Sequence, residues 1–385
     1  ERDAVSEGSE TTSCYNVCRR RGDATIVSGK LPSKGRGANI TASHKSAKFG
    51  LVTEGQAMRW LGAAAAAADP RIRWNVVAGS RSSSGLYRFM EPLRLSIECF
   101  RAVRLLRQQR PTVVIGLGAR ASLAGCLAAR ILAVPVLLLE LNCIPGTATR
   151  LLSRFAKLCL TGLPLAEEAV VAMHCAVEQA GVPVRPGIAE LHGELYVAEP
   201  AQPRLLVLGG SQGAQTLNAA VLQSLETGTT LPGDWQIVHQ AGDHEAAELR
   251  QRYQQLGLQA RVEPYLREMA EELRSATLVV SRAGAGILAE LACARRPAVL
   301  LPLPSSAGDH QRRNAGLFEF HKAAEVVETA AAAATVAAEL RTKLARLSRD
   351  AEERQRMSVA AARMAVPQAV QHVVQRVLET IAAAD

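Results

Sequence analysis

A glycine-rich turn between an apolar stretch and a helical pattern is the segment of this chain best suited to chemistry. The residues from Leu205 to Leu208 are apolar, and Gly209, Gly210 and Gly213 follow before the helical pattern begins. Glycines let the backbone approach an oxyanion, and the free N–H groups at the start of a helix favour negative charge. The spacing fits neither the dinucleotide fingerprint nor the P-loop, so it predicts a phosphate site of another class. A tight turn without a ligand is the alternative.

The same strand, turn and helix pattern recurs at residues 277–292. It places Glu290 one to two turns into the predicted helix. A carboxylate there suits a vicinal diol, because its two oxygens can accept hydrogen bonds from the two hydroxyls of a ribose.

A third segment supplies polar side chains after the predicted strand Ala298–Leu303. They are suited to binding the hydroxyls of a sugar and comprise Asp309, His310, Gln311 and Asn314.

These three segments, taken in order, resemble the MurG glycosyltransferases. The motifs are V-L-G-G-S-Q-G-A, S-R-A-G-A-x-x-x-A-E-L and D-H-Q-x-x-N-A. Residues 112–118, 135–146 and 149–155 also resemble the glycine segment and the E-Q-N-x-x-P-G-x-x-N-R motif of the family's N-terminal domain. The resemblance runs from about Glu54 to the C-terminus. It implies that the chain adds N-acetylglucosamine to lipid-linked muramyl pentapeptide in peptidoglycan synthesis, and so serves cell wall biogenesis, cell shape and cell division.

The resemblance also implies residue roles. Ser211 and neighbouring amides would hold the donor diphosphate, Glu290 the ribose, Leu266 the uracil through its backbone, and Gln311 the sugar hydroxyls. The remaining implied donor-binding residues are Asn142, Arg185, Ala285, Gly286, Ile287, Leu288 and Ala289.

Two of these implied roles have ordinary alternatives. Loop and surface positions would equally explain Asn142 and Arg185. Arg185 stands in Gly-Val-Pro-Val-Arg where the family has Gly-Asn-Pro-Val-Arg, so Val182 departs from the pattern.

The N-terminal region departs furthest from the family. MurG proteins open with a hydrophobic strand and G-G-T-G-G-H, whose histidine is a candidate general base. Residues 1–51 are polar and basic, and they predict an atypical or disordered leader without that strand or loop. His44 is a weak candidate for the base, since a solvated loop histidine is the simpler interpretation. The catalytic residue is therefore unassigned, and slow transfer is expected.

Composition and periodicity favour an α/β protein with doubly wound domains. The resemblance implies the glycosyltransferase-B type, with two Rossmann-like doubly wound domains facing a cleft. A chain of 385 residues with 48% hydrophobic content is long enough for two domains. The predicted units are a leader (1–51), an acceptor and membrane-facing domain (52–192), a UDP-sugar-binding domain (203–350) and C-terminal helices returning to the N-domain (351–385).

Charge and residue usage limit the partners. The net charge of +9 and the pI near 9.4 favour anionic partners, while 4% aromatic residues disfavour a base-stacking nucleic-acid surface. The eight cysteines lack zinc spacing, and most of them are expected to be reduced core thiols. With no D-x-D pair at the donor loop, neither a metal nor another cofactor is expected.

One basic amphipathic segment is a candidate membrane surface, because no apolar run is long enough to span a bilayer. Its apolar positions are Phe89, Leu93, Ile97 and Phe100, and its interleaved basic positions are Arg88, Arg94, Arg101, Arg104 and Arg107. The resemblance implies peripheral attachment to the anionic cytoplasmic face of the bacterial inner membrane. A helix packed on its own sheet is the alternative.

The expected reaction is inverting transfer of N-acetylglucosamine from UDP-N-acetylglucosamine to undecaprenyl-diphosphate-linked muramyl pentapeptide, without nucleic acid as a partner. Two alternatives remain open: a transferase of the same fold with another acceptor, and a UDP-sugar-binding relative with impaired catalysis. A nicotinamide-dependent oxidoreductase is disfavoured because neither glycine turn has the dinucleotide fingerprint.

Overall fold

The structure is a computed structural model with two parallel sheets, each flanked by helices. The residues that it describes are 23–27, 49–54, 72–78, 91–118, 121–209, 215–226, 230–304 and 306–383.

The N-terminal domain is built on a sheet of seven strands in the order β3-β2-β1-β4-β5-β6-β7. The strands are β1 Asp23–Val27, β2 Phe49–Glu54, β3 Ile72–Ala78, β4 Pro111–Gly116, β5 Val136–Glu140, β6 Leu158–Thr161 and β7 Ala176–Gln179. All neighbouring strands pair in parallel. β5 and β6 are buried along their whole length, as expected for parallel strands covered on both faces.

The expectation that residues 1–51 contain no strand is wrong. β1 lies in the middle of the sheet between β2 and β4, and β2 begins at Phe49. The boundary predicted after residue 51 therefore falls inside a strand. β1 contains the β-branched run from Thr25 to Val27, which favours a strand. Its polar and basic flanks concealed this short run from an interpretation based on composition.

The C-terminal domain has a sheet of six parallel strands in the order β10-β9-β8-β11-β12-β13. The strands are β8 Arg204–Leu208, β9 Gln236–Gln240, β10 Ala260–Glu263, β11 Leu278–Ser281, β12 Ala298–Leu300 and β13 Ala324–Val326. Numbered within the domain, this is the 3-2-1-4-5-6 order of a doubly wound Rossmann fold. The predicted fold class is confirmed.

The helices cover both faces of the two sheets. Those described in the N-terminal domain are Glu91–Gln109, Ala121–Ile131, Thr147–Leu152, Glu167–Val171 and Pro186–Ala189. Those of the C-terminal domain are Gln215–Leu225, Ala246–Gln255, Met269–Ser275, Ala285–Cys293, His310–Phe320 and Ala333–Leu347. In the described parts of the chain, short 3-10 helices lie at Glu190–Gly193 and Ala307–Asp309.

The C-terminal tail forms two helices. Ala351–Met364 and Ala369–Ala382 are separated around Pro367, which cannot donate a helical hydrogen bond. The second helix leaves the C-terminal domain and packs on the N-terminal sheet, where Val373, Val377 and Ile381 are buried against β4, β5 and β6. The tail therefore ties the two domains together.

The strand order decides where ligands can bind. In a doubly wound sheet the site lies outside the carboxyl ends of the strands, where the order reverses. In the C-terminal sheet that point lies between the neighbouring strands β8 and β11, whose last residues Leu208 and Ser281 pair side by side. In the N-terminal sheet it lies between β1 and β4, next to β5.

Candidate active site

Two predicted site residues lie outside the part of the chain that the structure describes. Ser211 falls between Gly209 and Gln215 in the sequence, and His44 precedes β2. The described chain continues with the helix Gln215–Leu225. Their predicted roles remain predictions.

The helix Ala285–Cys293 begins at the carboxyl end of β11 and carries a continuous run of predicted donor-binding residues. Its N-cap is Gly284, which supplies no side-chain hydrogen bond to the first N–H groups. A Cβ atom added at Gly284 or Gly286 would meet no described atom within 4 Å, so packing does not explain these glycines. Ala285 and Leu288 are buried, whereas Gly286, Ile287 and Ala289 are half-buried. An open helix start with free N–H groups favours an anionic ligand.

Glu290 and Arg185, both predicted to face the donor, form an ion pair between the domains. Arg185 Nη2 lies 2.7 Å from Glu290 Oε1, and the two side chains are 19% and 17% exposed. Burial raises the pKa of the Glu290 carboxyl, and the Arg185 guanidinium acts in the opposite direction. Arg185 therefore orients the carboxylate and stabilises its charged form, which is the form that accepts hydrogen bonds from hydroxyls.

The departure at Val182 has a packing explanation. Val182 is 4% exposed and belongs to the apolar cluster that joins the two domains. It lies so close to Gly162 that a Cβ atom there would come within 2.5 Å of Val182 Cγ2. A valine at this position fills the interface that supports Arg185.

Asn142 lies in a polar network at the carboxyl end of β5. Its backbone and side-chain nitrogens donate to Glu140 Oε1 at 3.2 and 3.1 Å. The other carboxylate oxygen accepts from Gly146 N at 3.1 Å and from Thr149 Oγ1 at 2.6 Å. Glu140 is 5% exposed and thus holds the loop of Asn142 in place from inside the domain. Sequence reasoning did not give Glu140 a role of its own.

Asn314 does not contact solvent and is not placed to bind a sugar. The prediction that it binds sugar hydroxyls is therefore wrong. Asn314 is 0% exposed. Its Nδ2 donates to Asn142 Oδ1 at 3.0 Å and to the Ala283 carbonyl at 3.2 Å, while its Oδ1 accepts from Cys143 N at 3.1 Å. Because it follows Gln311 by three residues, it lies one turn deeper along the helix His310–Phe320.

Gln311 lies in the first turn of that helix and is half-buried. Its Oε1 accepts from Leu303 N at 3.0 Å. This contact fixes the orientation of the amide, because a backbone N–H can only donate. Gln311 therefore presents its Nε2 group as a hydrogen-bond donor.

Leu266 follows the carboxyl end of β10. Its side chain is 1% exposed and lies in the apolar core. Its backbone N–H donates to Gln240 Oε1 at 3.4 Å, at the end of β9. Any contact of Leu266 with a nucleotide would have to involve its backbone, and the uracil role remains a prediction.

Arg282 was missed by the sequence analysis. Its Nη1 donates to the Leu301 carbonyl at 3.0 Å and its Nη2 to Thr216 Oγ1 at 2.5 Å. Arg282 therefore spans from the second glycine turn to the helix that follows the first one. The sequence feature that could have identified Arg282 is a basic residue directly after the buried strand β11. Its positive charge favours an anion between the two turns.

A buried polar cluster supports the helix that follows the first glycine turn. His239 on β9 contacts Tyr253 Oη through Nδ1 at 2.9 Å and Asn218 Oδ1 through Nε2 at 3.0 Å. Asn218, on the helix Gln215–Leu225, also donates to the Ala241 carbonyl at 3.0 Å. Burial lowers the pKa of His239 from 6.5 to about 3, so the folded protein holds this imidazole neutral.

This cluster predicts a loss of stability in mild acid. The unfolded state binds a proton at His239 near pH 6.5 and the folded state only near pH 3, so stability falls as the pH drops through that window. Because of His239, we expect the free energy of unfolding to fall by about 2 kcal/mol between pH 7 and pH 5. Urea unfolding should show a pH dependence smaller by that amount in His239→Gln. The exposed His321→Gln is the control, and equal slopes for His239→Gln and the parent would contradict the assignment.

The arrangement defines a class of protein. Two Rossmann-like domains with facing carboxyl edges, joined by a returning C-terminal helix, form a glycosyltransferase-B fold. Family models agree, because residues 204–373 match the glycosyltransferase family 28 C-terminal domain and residues 49–161 match the glycosyltransferase family 28 N-terminal domain.

Comparison with individual relatives identifies the family within this class of proteins. The chain is 34% identical over 342 residues to the UDP-N-acetylglucosamine–N-acetylmuramyl-(pentapeptide) pyrophosphoryl-undecaprenol N-acetylglucosamine transferase of Stutzerimonas stutzeri, covering 85% of this chain and 91% of the relative. It is 39% identical over 246 residues to the enzyme of the same name from Xylella fastidiosa, covering 63% of this chain and 66% of the relative. The chain thus spans just under two thirds of that relative. It belongs to the MurG family of these transferases, and the predicted family is confirmed.

A solved structure supports the same assignment. The crystal structure of MurG from Acinetobacter baumannii is similar with a TM-score of 0.69 and 25% sequence identity. The match covers 93% of this chain and 100% of that structure.

Proposed function

We propose that the chain transfers N-acetylglucosamine from UDP-N-acetylglucosamine to undecaprenyl-diphosphate-linked muramyl pentapeptide. The observation that carries the proposal is the Arg185–Glu290 pair at 2.7 Å, which lies beside an open, glycine-lined helix start between the two domains. Membership of the MurG family and the names of its relatives support the choice of donor and acceptor.

In this proposal the donor lies across the carboxyl edge of the C-terminal sheet. Glu290 accepts hydrogen bonds from the ribose hydroxyls, and the backbone near Leu266 meets the uracil. The diphosphate binds the turn containing Ser211 and the start of the helix Ala285–Cys293, where free N–H groups and Arg282 supply positive potential. Gln311 donates to a sugar hydroxyl.

The proposed chemistry is inverting displacement at the anomeric carbon. The acceptor hydroxyl attacks, a general base takes its proton, and the bond to the donor diphosphate breaks. The helix N–H groups and Arg282 stabilise the departing diphosphate, whose negative charge grows as the bond breaks. We assign no described residue as the base.

A transfer assay tests this function. UDP-N-acetylglucosamine labelled in the sugar is incubated with the protein and, in separate reactions, with the lipid-linked muramyl pentapeptide or unrelated lipid and small-molecule acceptors. We expect label only in the muramyl lipid. Label in another acceptor would indicate a different transferase, and saturable UDP binding without any transfer would indicate a binding protein.

Gln311 predicts selectivity for the sugar. Replacing Gln311 by alanine removes the Nε2 donor, so the variant should bind UDP-N-acetylglucosamine about 10-fold more weakly. UDP has no sugar and serves as the matched control ligand, whose affinity should stay within about twofold. Titration calorimetry measures both. An equal loss for the two ligands would place Gln311 away from the sugar.

We propose that the helix Glu91–Gln109 binds the anionic cytoplasmic face of the bacterial inner membrane. Leu93, Ile97 and Phe100 are 57%, 48% and 73% exposed, whereas Ala102 and Leu106 on the other face of the helix pack in the core of the N-terminal domain. Arg104 continues the same stripe at helical spacing and is exposed. Exposed apolar and basic residues on one helix favour an anionic bilayer surface. Within the described residues, no helix is long and apolar enough to cross a membrane.

This surface predicts a measurable loss of membrane binding. Replacing Leu93, Ile97 and Phe100 together by glutamate removes apolar area and adds negative charge, so vesicle affinity should fall at least about 30-fold. Cosedimentation with vesicles containing anionic phospholipid measures it. Phe320→Glu is the matched control, because Phe320 is 81% exposed on the C-terminal domain. Unchanged binding of the triple variant, or an equal loss in the control, would rule out this surface.

A further inference from the structure

The buried amide of Asn314 connects the two domains through backbone groups of opposite character. Its Oδ1 accepts from Cys143 N in the N-terminal domain at 3.1 Å. Its Nδ2 donates to the Ala283 carbonyl in the C-terminal domain at 3.2 Å. A backbone N–H can only donate and a carbonyl can only accept, so these contacts fix the orientation of the amide. Among the natural side chains of this size, only asparagine satisfies both.

The orientation of the Asn314 amide also fixes the orientation of the Asn142 amide. Asn314 Nδ2 donates to Asn142 Oδ1 at 3.0 Å, and Asn142 Nδ2 donates to Glu140 Oε1 at 3.1 Å. Turning the Asn142 amide over would set its oxygen against the Glu140 carboxylate and its nitrogen against another donor. The polarity of the whole chain of hydrogen bonds is therefore determined at both ends.

The position of Asn314 links this chain to the proposed donor site. Ala283 directly precedes Gly284, the N-cap of the helix that carries Glu290. Gln311 lies one turn before Asn314 on its own helix. We propose that Asn314 is a positioning residue that latches the two domains together and holds the Asn142 amide in one orientation over the donor. The latch stands on geometry alone, whereas its effect on transfer rests on the proposed function.

Asn314→Asp tests the latch with almost no change in shape. The new carboxylate can still accept from Cys143 N, but its second oxygen faces the Ala283 carbonyl and Asn142 Oδ1, which are both acceptors. The repulsion should open the contact between the domains and expose the neighbouring Cys143, which is 6% exposed in the latched state. Cys126, 0% exposed in the core of the N-terminal domain, reports on general unfolding.

The measurement is site-resolved alkylation by N-ethylmaleimide, followed by peptide mass spectrometry. In Asn314→Asp we expect Cys143 to react at least about 10-fold faster than in the parent, while the rate at Cys126 stays the same. Asn218→Asp is the matched control: Asn218 is 1% exposed and also donates to a backbone carbonyl, but within the C-terminal domain. It should leave Cys143 protected.

Three results would overturn the latch. They are an unchanged rate at Cys143 in Asn314→Asp, an equal rise at Cys126, and an equal rise at Cys143 in Asn218→Asp. None depends on activity, so failure of the latch is separate from failure of the proposed function.

A kinetic arm tests the positioning role. Asn314→Asp should lower kcat/KM for transfer at least about 30-fold while the affinity for UDP stays within about threefold. Because Asn314 acts through Asn142, adding Asn142→Ala should cause little further loss. Additive losses would refute the positioning role, and an inactive parent would refute the proposed function while the alkylation result stands.

Discussion

Replacing Glu290 by alanine is expected to weaken the binding of UDP-N-acetylglucosamine by about 100-fold. Two charge-assisted hydrogen bonds to the ribose hydroxyls would be lost, at about 1.5 kcal/mol each. The substitution also leaves Arg185 without its partner at 2.7 Å. Glu290→Gln separates these effects, because it keeps the volume and one acceptor oxygen. It should lose less affinity than the alanine variant.

Titration calorimetry with UDP measures the affinity of the Glu290→Ala variant for a ligand that lacks the sugar. The loss of affinity should be equally large for UDP and for UDP-N-acetylglucosamine. Glu272→Ala is the matched control, because Glu272 is also buried and pairs with Arg261 at 2.5 Å. Glu272 also lies 3.8 Å from Arg204, the first residue of β8 and thus at the amino edge of the sheet. The variant should therefore leave UDP affinity within about twofold. If Glu290→Ala binds UDP as tightly as the parent, the carboxylate is structural and the proposed ribose contact is wrong.

The second large effect concerns the missing first loop of the family. We expect the chain to transfer sugar slowly, because G-G-T-G-G-H is absent from the sequence after β1. β1 ends at Val27, next to Gly116 of β4 at the reversal point of the N-terminal sheet. Replacing residues 28–33 with Gly-Gly-Thr-Gly-Gly-His should raise transfer about 100-fold or more, which is the usual contribution of a general base. The affinity for UDP should not change.

The control for this replacement is the same segment with alanine in place of its histidine. It should restore little of the rate, because the backbone of the loop alone supplies no base. His44→Ala in the parent should change the rate by less than about twofold. A parent chain that transfers as fast as the replaced one would contradict this prediction, and a large loss in His44→Ala would identify His44 as the base.

Local sequence patterns predicted the elements whose signals are local. β8 is a short apolar run whose bounds lie within one residue of the predicted run Leu205–Leu208. β11 lies in the strand, turn and helix pattern predicted at residues 277–292. Their adjacency follows from the Rossmann order, which brings their carboxyl ends together. β7 was not predicted, because an edge strand with half-exposed side chains lacks an apolar run.

Contacts between the domains could not be predicted in this way. Arg185 and Glu290 are separated by 105 residues, and Asn142 and Asn314 by 172. A polar side chain has the same type and local spacing whether it contacts the other domain or a ligand. Only the relative placement of the two sheets determines which of the two it contacts. Asn314 therefore looked like a sugar-binding residue in the sequence, although it lies buried in the interface between the domains.

A crystal structure with UDP-N-acetylglucosamine bound would test the central claim most directly. We expect the ribose hydroxyls within hydrogen-bond distance of Glu290, the diphosphate between the two glycine turns next to Arg282, and the sugar next to Gln311. A nucleotide bound away from the carboxyl ends of β8 and β11, or with its ribose out of reach of Glu290, would contradict the account.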